Sequence, residues 1–94
     1  MNLDQPVRDI GWAVRQLRNG MPVGRQGWSG KGMFLYLVAG SHFSVTCTPL
    51  TGIYPAGTVL DYREHIVMRT DQGDFVPWVC SQSDLLAADW DLVW

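Results

Sequence analysis

Hydrophobic residues recur along this chain with two different periods, one typical of a helix and one typical of strands. From Val7 to Leu17 the apolar positions fall three and four residues apart, which predicts a helix. Asp4 and Pro6 suit its beginning, and Asn19–Gly20 suits its end, because glycine adopts the left-handed conformation that terminates many helices.

Strand patterns dominate the middle of the chain. Residues 33–38 form a continuous apolar run of strand length, which predicts a central strand. Residues 65–70 and 75–79 flank the turn-forming residues 71–74, which predicts a β-hairpin. The glycines and prolines of residues 39–61 predict irregular loops, with an edge strand at residues 43–47.

The C-terminal part of the chain predicts one more helix. Ser81 followed by Asp84 fits a helix cap, and a short helix is expected to run through Trp90, with a last strand at residues 91–94. Strands therefore outnumber helices. We expect one domain over residues 1–94, of α+β class, with a mainly antiparallel sheet, an N-terminal helix and a short C-terminal helix.

Composition indicates a folded protein with surplus aromatic surface. Hydrophobic residues make up 47% of the 94 residues and charged residues only 17%. A domain of this size buries only about 60–65% of its unfolded surface. Five Trp, three Tyr and three Phe are more aromatic bulk than such a core readily hides. Some of these rings are expected to face a ligand or another subunit.

Charge and cysteine content exclude several classes of protein. A net charge of −2 argues against binding to DNA or RNA, although the first 47 residues carry five basic and two acidic side chains and suit a small anion. No apolar run spans a bilayer and no signal-peptide core is present, so we expect a cytoplasmic protein without membrane contact. Cys47 and Cys80 lack metal-ligand or disulfide spacing and are expected to be buried thiols, with no metal or cofactor.

The glycine-rich segment of residues 27–32 is the first candidate site. It departs from the Walker phosphate loop, since Arg25 replaces the first glycine and Gly32 replaces the Ser or Thr after the lysine. The glycines alone slightly favour a simple turn between two strands. Trp28 and Lys31 inside this segment favour a binding role, because they can combine ring stacking with anion contact.

The second candidate site spans residues 77–84, where a strand ends and a capped helix begins. Unpaired N–H groups at a helix N-terminus suit a phosphate, and Asp84 suits a ribose hydroxyl. The alternative is that Ser81 and Asp84 only cap the helix and that Trp78 belongs to the core.

Catalysis has weaker support in the sequence. Asp61, Glu64 and His65 lie close together in the sequence and offer an acid–base group for a small phosphodiesterase or nucleosidase, but a solvated charged loop is the commoner explanation of such residues. Neither cysteine lies in a nucleophile motif. We therefore expect no catalytic residues. A third possibility is a protein-interaction module whose exposed Trp side chains dock a host factor.

Four segments together resemble one known family. They are residues 25–33, 49–55, 62–66 and 77–87, and they occur in the expected order over nearly the whole chain. The chain resembles the phage-encoded anti-Thoeris proteins, which sequester cyclic nucleotide immune signals.

The resemblance implies a function and a set of site residues. It implies an α+β homotetramer in the host bacterial cytoplasm that binds glycocyclic ADP-ribose without cleaving it, and in some members cyclic dinucleotides, so that the Thoeris or CBASS effector stays silent. The ligand pocket would contain Trp28, Lys31 and Trp78. The remaining implied site residues are the polar contacts Ser29, Gln82 and Asp84, together with Arg63 at a second, cyclic-dinucleotide site.

Overall fold

The computed structural model describes residues 7–28 and 30–93. Two helices and seven strands follow one another in the order α1 (Ile10–Arg18), β1 (Val23–Arg25), β2 (Phe34–Val38), β3 (Ser41–Ser44), β4 (Val59–Tyr62), β5 (His65–Arg69), β6 (Phe75–Pro77), α2 (Gln82–Leu85) and β7 (Trp90–Leu92). All paired strands are antiparallel, in a five-stranded sheet ordered β6-β5-β2-β1-β7 and a two-stranded sheet of β3 and β4. The predicted α+β class with a mainly antiparallel sheet is confirmed.

The core lies between α1 and one face of the larger sheet. Its fully buried residues come from the helix, from the middle strands and from the edge strand: Ala13, Leu17, Val23, Leu35 and Trp90. The apolar run of residues 33–38 does form the central strand, since β2 lies third of five. No helix in the described part of the chain is long and apolar enough to cross a membrane.

Helix α1 begins later than the periodicity indicates and ends where it indicates. The Asp9 carboxylate accepts the N–H of Trp12 at 2.9 Å, so Asp9 caps a helix that starts at Ile10. Val7 is exposed outside it, and Asp4 and Pro6 lie outside the described residues. At the other end Asn19 is the cap, and Gly20 has the left-handed φ of 82° that the sequence predicted.

Strand β2 is followed by β3 and strand β4 by β5, so that residues 34–69 form one long two-stranded β-ribbon. Its β3–β4 part extends beyond the larger sheet. Phe34 pairs with Arg69 and Ser44 with Val59, and the same register continues through both sheets. The ladder is interrupted near Gly40, where an added Cβ would lie 3.0 Å from the backbone oxygen of Tyr62. Strand β4 was not predicted, because the glycines and prolines of residues 39–61 indicate loops. Within the described residues, β4 pairs with β3.

The C-terminal elements differ from the sequence expectation. Helix α2 ends at Leu85 instead of continuing through Trp90, because Trp90 opens strand β7 and pairs with Arg25 of β1. The hairpin around residues 71–74 is confirmed as β5 and β6. The expectation of buried thiols is wrong: Cys47 and Cys80 are both exposed, because each lies in a connection outside the sheet.

Trp90 joins these elements. Its ring is fully buried, and its indole N–H donates to the backbone oxygen of Asp84 at 3.2 Å, which ties α2 to β7. The rings of Trp28 and Trp78 each meet Trp90 edge to face, at centroid distances of 5.6 and 6.1 Å. One buried indole therefore supports two partly exposed ones.

Replacing Trp90 tests this support directly. Trp90→Ala removes the largest buried side chain, so we expect a loss of about 3–5 kcal/mol in the free energy of unfolding. Leu86→Ala, at a residue whose side chain is 78% exposed, is the control and is expected to change it by less than about 0.5 kcal/mol. Urea denaturation of both variants measures the difference, and equal effects would contradict the role of Trp90.

Candidate ligand-binding site

Two grooves lie beside the aromatic cluster around Trp90, one lined by Trp28 and the other by Trp78. The Trp28 groove has a volume of about 490 Å³ and is lined by Gly24, Arg25, Gln26, Trp28, Gly30, Gly32, Met33, Asp91, Leu92 and Val93. The Trp78 groove has a volume of about 410 Å³ and is lined by Val14, Leu17, Arg18, Leu37, Glu64, His65, Ile66, Trp78 and Cys80. Both volumes fall within the range of small-molecule sites.

The turn after β1 places Trp28 at its groove. Strand β1 passes into a short 3₁₀ turn, Gln26–Trp28, and the half-buried Trp28 ring then packs against Trp90. Lys31 donates its backbone N–H to the Trp28 oxygen at 3.1 Å, and its side chain is exposed. An indole wall and an exposed ammonium group therefore lie close together along the chain.

Arg69 holds the glycine-rich segment in place from the neighbouring strand β5. Its guanidinium donates to the Gly32 oxygen at 2.7 Å. Gly32 has a left-handed φ of 72°, and a Cβ there would lie 2.5 Å from the same guanidinium. The left-handed backbone therefore favours glycine at position 32 independently of any ligand.

An ion-pair cluster fixes α2 against β1 beside the Trp28 groove. The Arg25 guanidinium donates to the carboxylates of Asp89 at 2.8 Å and Asp84 at 2.9 Å. The hydrogen bond from Arg25 holds the pKa of Asp89 below its ordinary value, and the bonds to Asp89 and Asp84 raise the pKa of Arg25. The Ser81 hydroxyl accepts the Asp84 N–H at 3.1 Å, which caps α2 as predicted.

The Trp78 groove is apolar at its floor and polar at its rim. Trp78 follows β6 and donates its backbone N–H to the Ile66 oxygen at 3.0 Å. Arg18 of α1 and Glu64 form an ion pair at 2.8 Å on the rim. Partial burial raises the pKa of the Cys80 thiol above its ordinary value, and the nearby negative charge of Asp84 raises it further.

Comparison with known proteins identifies the family. Residues 8–93 match the Thoeris anti-defense 2-like domain. The chain is also 37% identical over 84 residues to a protein named Thoeris anti-defense 2 from Bacillus phage SP01, with 89% of this chain and 92% of the phage protein covered. This chain belongs to the Thoeris anti-defense 2-like family. The resemblance drawn from the sequence segments is thereby confirmed.

In this Thoeris anti-defense 2-like chain the predicted site residues fall into several places. Trp28 and Trp78 line different grooves and share Trp90 between them. Asp84 is engaged by Arg25, and Gln82 is exposed at the first position of α2.

The structure describes two further predicted residues. Lys31 is exposed in the glycine-rich segment, and Arg63 lies between β4 and β5, opposite the interruption of the ribbon. Ser29 lies outside the described residues. The part that each of these residues plays in ligand binding stays a prediction.

Two of the three candidate acid–base residues are paired with side chains outside the group. Asp61 contacts His42 across the β3–β4 pair, and Glu64 is paired with Arg18. The remaining member, His65, has its Nδ1 atom 3.1 Å from the Arg63 oxygen. Over residues 7–28 and 30–93, moreover, no three His, Cys, Asp or Glu side chains cluster as a metal site would require.

Sequence reasoning missed several residues that shape the site. Arg25 and Asp89 were not singled out as partners, because 64 positions separate them and only the pairing of β1 with β7 brings them together. Trp90 was assigned to a helix, and Gly24 and Arg69 were passed over. The one indication in the sequence is that Arg25 and Asp89 are opposite charges that each lie near a tryptophan.

The Arg25–Asp89 pair predicts a pH-dependent stability. Because the folded pKa of Asp89 is lowered, its contribution is present above the unfolded pKa near 4 and disappears as the pH falls through the folded value. We expect Asp89→Asn to cost about 1 kcal/mol at pH 7. Thermal unfolding of both proteins from pH 7 down to pH 2 should show the two curves converging below pH 4. A difference that stays constant with pH would contradict this assignment.

Proposed function

We propose that this protein binds and sequesters a cyclic nucleotide immune signal in the host cytoplasm without cleaving it. The first ligand class is glycocyclic ADP-ribose, and cyclic dinucleotides are the second, so that the Thoeris effector, or a CBASS effector, receives no signal. The observation that carries the proposal is the Trp28 groove, where a partly exposed indole lies next to the backbone of Gly30 and Gly32. The chain also belongs to an anti-defense family.

The chemistry of the Trp28 groove supports a nucleotide ligand. An indole surface takes a nucleobase by stacking, which contributes about 1–3 kcal/mol. Gly30 and Gly32 leave the loop backbone accessible, and Lys31 between them supplies a positive charge for phosphate. These features suit an anionic ligand with a planar base.

The arrangement of the titratable groups supports sequestration over turnover. A general base needs a side chain that is free to approach the reacting proton. Asp61 and Glu64, the proposed partners of His65, are each engaged with a different side chain, His42 and Arg18. The enzymatic alternative therefore has less support than binding.

We further propose that the protein works as a homo-oligomer, with four copies as the expected number. Capture at nanomolar concentration needs about 12 kcal/mol, far more than one stacked ring supplies. A second copy would add contacts and exclude water from the ligand. The shape of the chain supports this proposal: its radius of gyration is 17.2 Å and its longest dimension is 58 Å, whereas a compact domain of this length has a radius of about 12 Å.

Recovery of intact ligand tests sequestration. Purified protein is mixed with glycocyclic ADP-ribose, filtered, and heated, and the released molecule is identified by mass spectrometry. We expect the unmodified ligand. A degraded product that disappears with His65→Ala would establish an enzyme instead, and unchanged melting temperatures with every cyclic nucleotide would favour a protein-interaction module, since a tight ligand at 100 times its Kd adds about 2.7 kcal/mol.

The same assay locates the site. Trp28→Ala is expected to weaken binding by about tenfold or more, because one stacked base is lost. Phe75→Ala is the matched control, since Phe75 is 55% exposed and lines neither groove. Circular dichroism of both variants verifies folding, and equal Kd values would place the ligand elsewhere.

Light scattering after size-exclusion chromatography tests the oligomer. We expect a mass of several times 10.6 kDa, four times if the tetramer forms. Ile53, in the connection between β3 and β4, and Val59, on β4, are 66% and 61% exposed, so Ile53→Asp with Val59→Asp should lower the mass. Leu86→Asp, an equally apolar exposed position on the body, is the control. A wild-type mass of one chain at micromolar concentration would contradict the proposal.

A further inference from the structure

Gly24 lies at the bottom of the Trp28 groove. It is the middle residue of β1, it is buried, and it pairs with Asp91 of β7. Side chains of residues paired in this way project to the same side of a sheet. The absence of a side chain at Gly24 therefore leaves an open space next to the Asp91 side chain.

Three groups surround the space over Gly24. A Cβ built on this residue would lie 3.5 Å from Cε3 of Trp28, 3.5 Å from Cγ2 of Val93 and 3.4 Å from the backbone oxygen of Met33. All three residues line the groove. One methyl-sized group would thus touch every wall of this space.

The fold itself does not require glycine at this position. The φ of Gly24 is outside the left-handed region, and contacts of 3.4–3.5 Å are ordinary van der Waals contacts. Gly32 differs, since its backbone is left-handed and Arg69 occupies the space beside it. A glycine inside a strand weakens the strand and often marks a place where another group approaches the backbone closely. An approaching group is therefore the better explanation at Gly24.

The charge of the surroundings indicates which part of a nucleotide fits there. The walls are an indole carbon, a valine methyl group and a carbonyl oxygen. The adjoining Asp91 carboxylate is paired with Arg8, and the nearby Arg25 cation is engaged by Asp84 and Asp89. The three walls offer a phosphate no positive charge and no hydrogen-bond donor, whereas the edge of a planar base makes van der Waals contact with all of them.

We propose that Gly24 determines ligand specificity by receiving the edge of a planar nucleobase between Trp28 and Val93. The proposal rests on the proposed function, since it assigns the base of the sequestered cyclic nucleotide to this space. The phosphates then lie towards Lys31 and the glycine loop, away from Asp91.

Glycine-to-alanine substitutions at two positions give a matched test. Gly24→Ala adds a methyl group inside the groove, and Gly52→Ala adds the same group in the connection between β3 and β4, outside both grooves, where nothing lies within 4 Å of the added Cβ and φ is also outside the left-handed region. With glycocyclic ADP-ribose as the probe in calorimetry, we expect Gly24→Ala to raise the Kd by about tenfold or more, the effect of one methylene in a fitted pocket. Gly24→Val should raise it further, and Gly52→Ala should leave it within about twofold of wild type. The melting temperature of Gly24→Ala without ligand should stay equal to that of wild type or rise.

The outcomes separate this inference from the proposed function. Wild-type binding with an unchanged Kd for Gly24→Ala overturns the role of Gly24 and leaves sequestration standing. Absence of wild-type binding to glycocyclic ADP-ribose and to a panel of cyclic dinucleotides overturns both. A second measurement needs no variant: nuclear Overhauser contacts between the Gly24 Hα atoms and the adenine protons of the bound probe are expected, and contacts to ribose protons alone would overturn the inference.

Discussion

The burial of the Trp90 indole is the constraint on which the other features of this protein depend. Its ring fills the space between α1 and the edge of the sheet, and its N–H group requires a hydrogen-bond acceptor once water is excluded. The Asp84 backbone oxygen meets that requirement and so places α2 against β7. Trp28 and Trp78 both pack edge to face against this ring. The Trp90 ring therefore sets the positions of both grooves. A change in the core is therefore expected to reach both candidate ligand surfaces.

The ion-pair cluster around Arg25 complements this apolar support. Asp84 and Asp89 neutralise a cation that would otherwise be left half-buried at the groove wall. Asp84 thus has a partner within the protein, and its contact with a ligand stays a prediction. Lys31 is a different cation, in the adjoining glycine-rich segment, and it is exposed. A paired cation and an exposed one therefore lie within a few residues of each other.

The extended ribbon gives the chain a shape that a small protein rarely adopts alone. A two-stranded ribbon in water is marginally stable, and this one exposes Ile53, Tyr54, Val59 and Tyr62. Exposed apolar side chains grouped on one part of a small protein often mark an interaction surface.

The sequence by itself determined the local elements and the family. Periodicity, turn residues and the Ser81 cap are local effects, so they located the central strand, the hairpin and the end of α1, and the ordered segments identified the anti-Thoeris resemblance. Only the tertiary structure decided that Trp90 belongs to a strand, that Arg25 meets Asp89, that Trp28 and Trp78 line separate grooves and that Gly24 forms a floor. Each of these facts depends on which distant strands become neighbours, and no local pattern of side chains encodes that pairing.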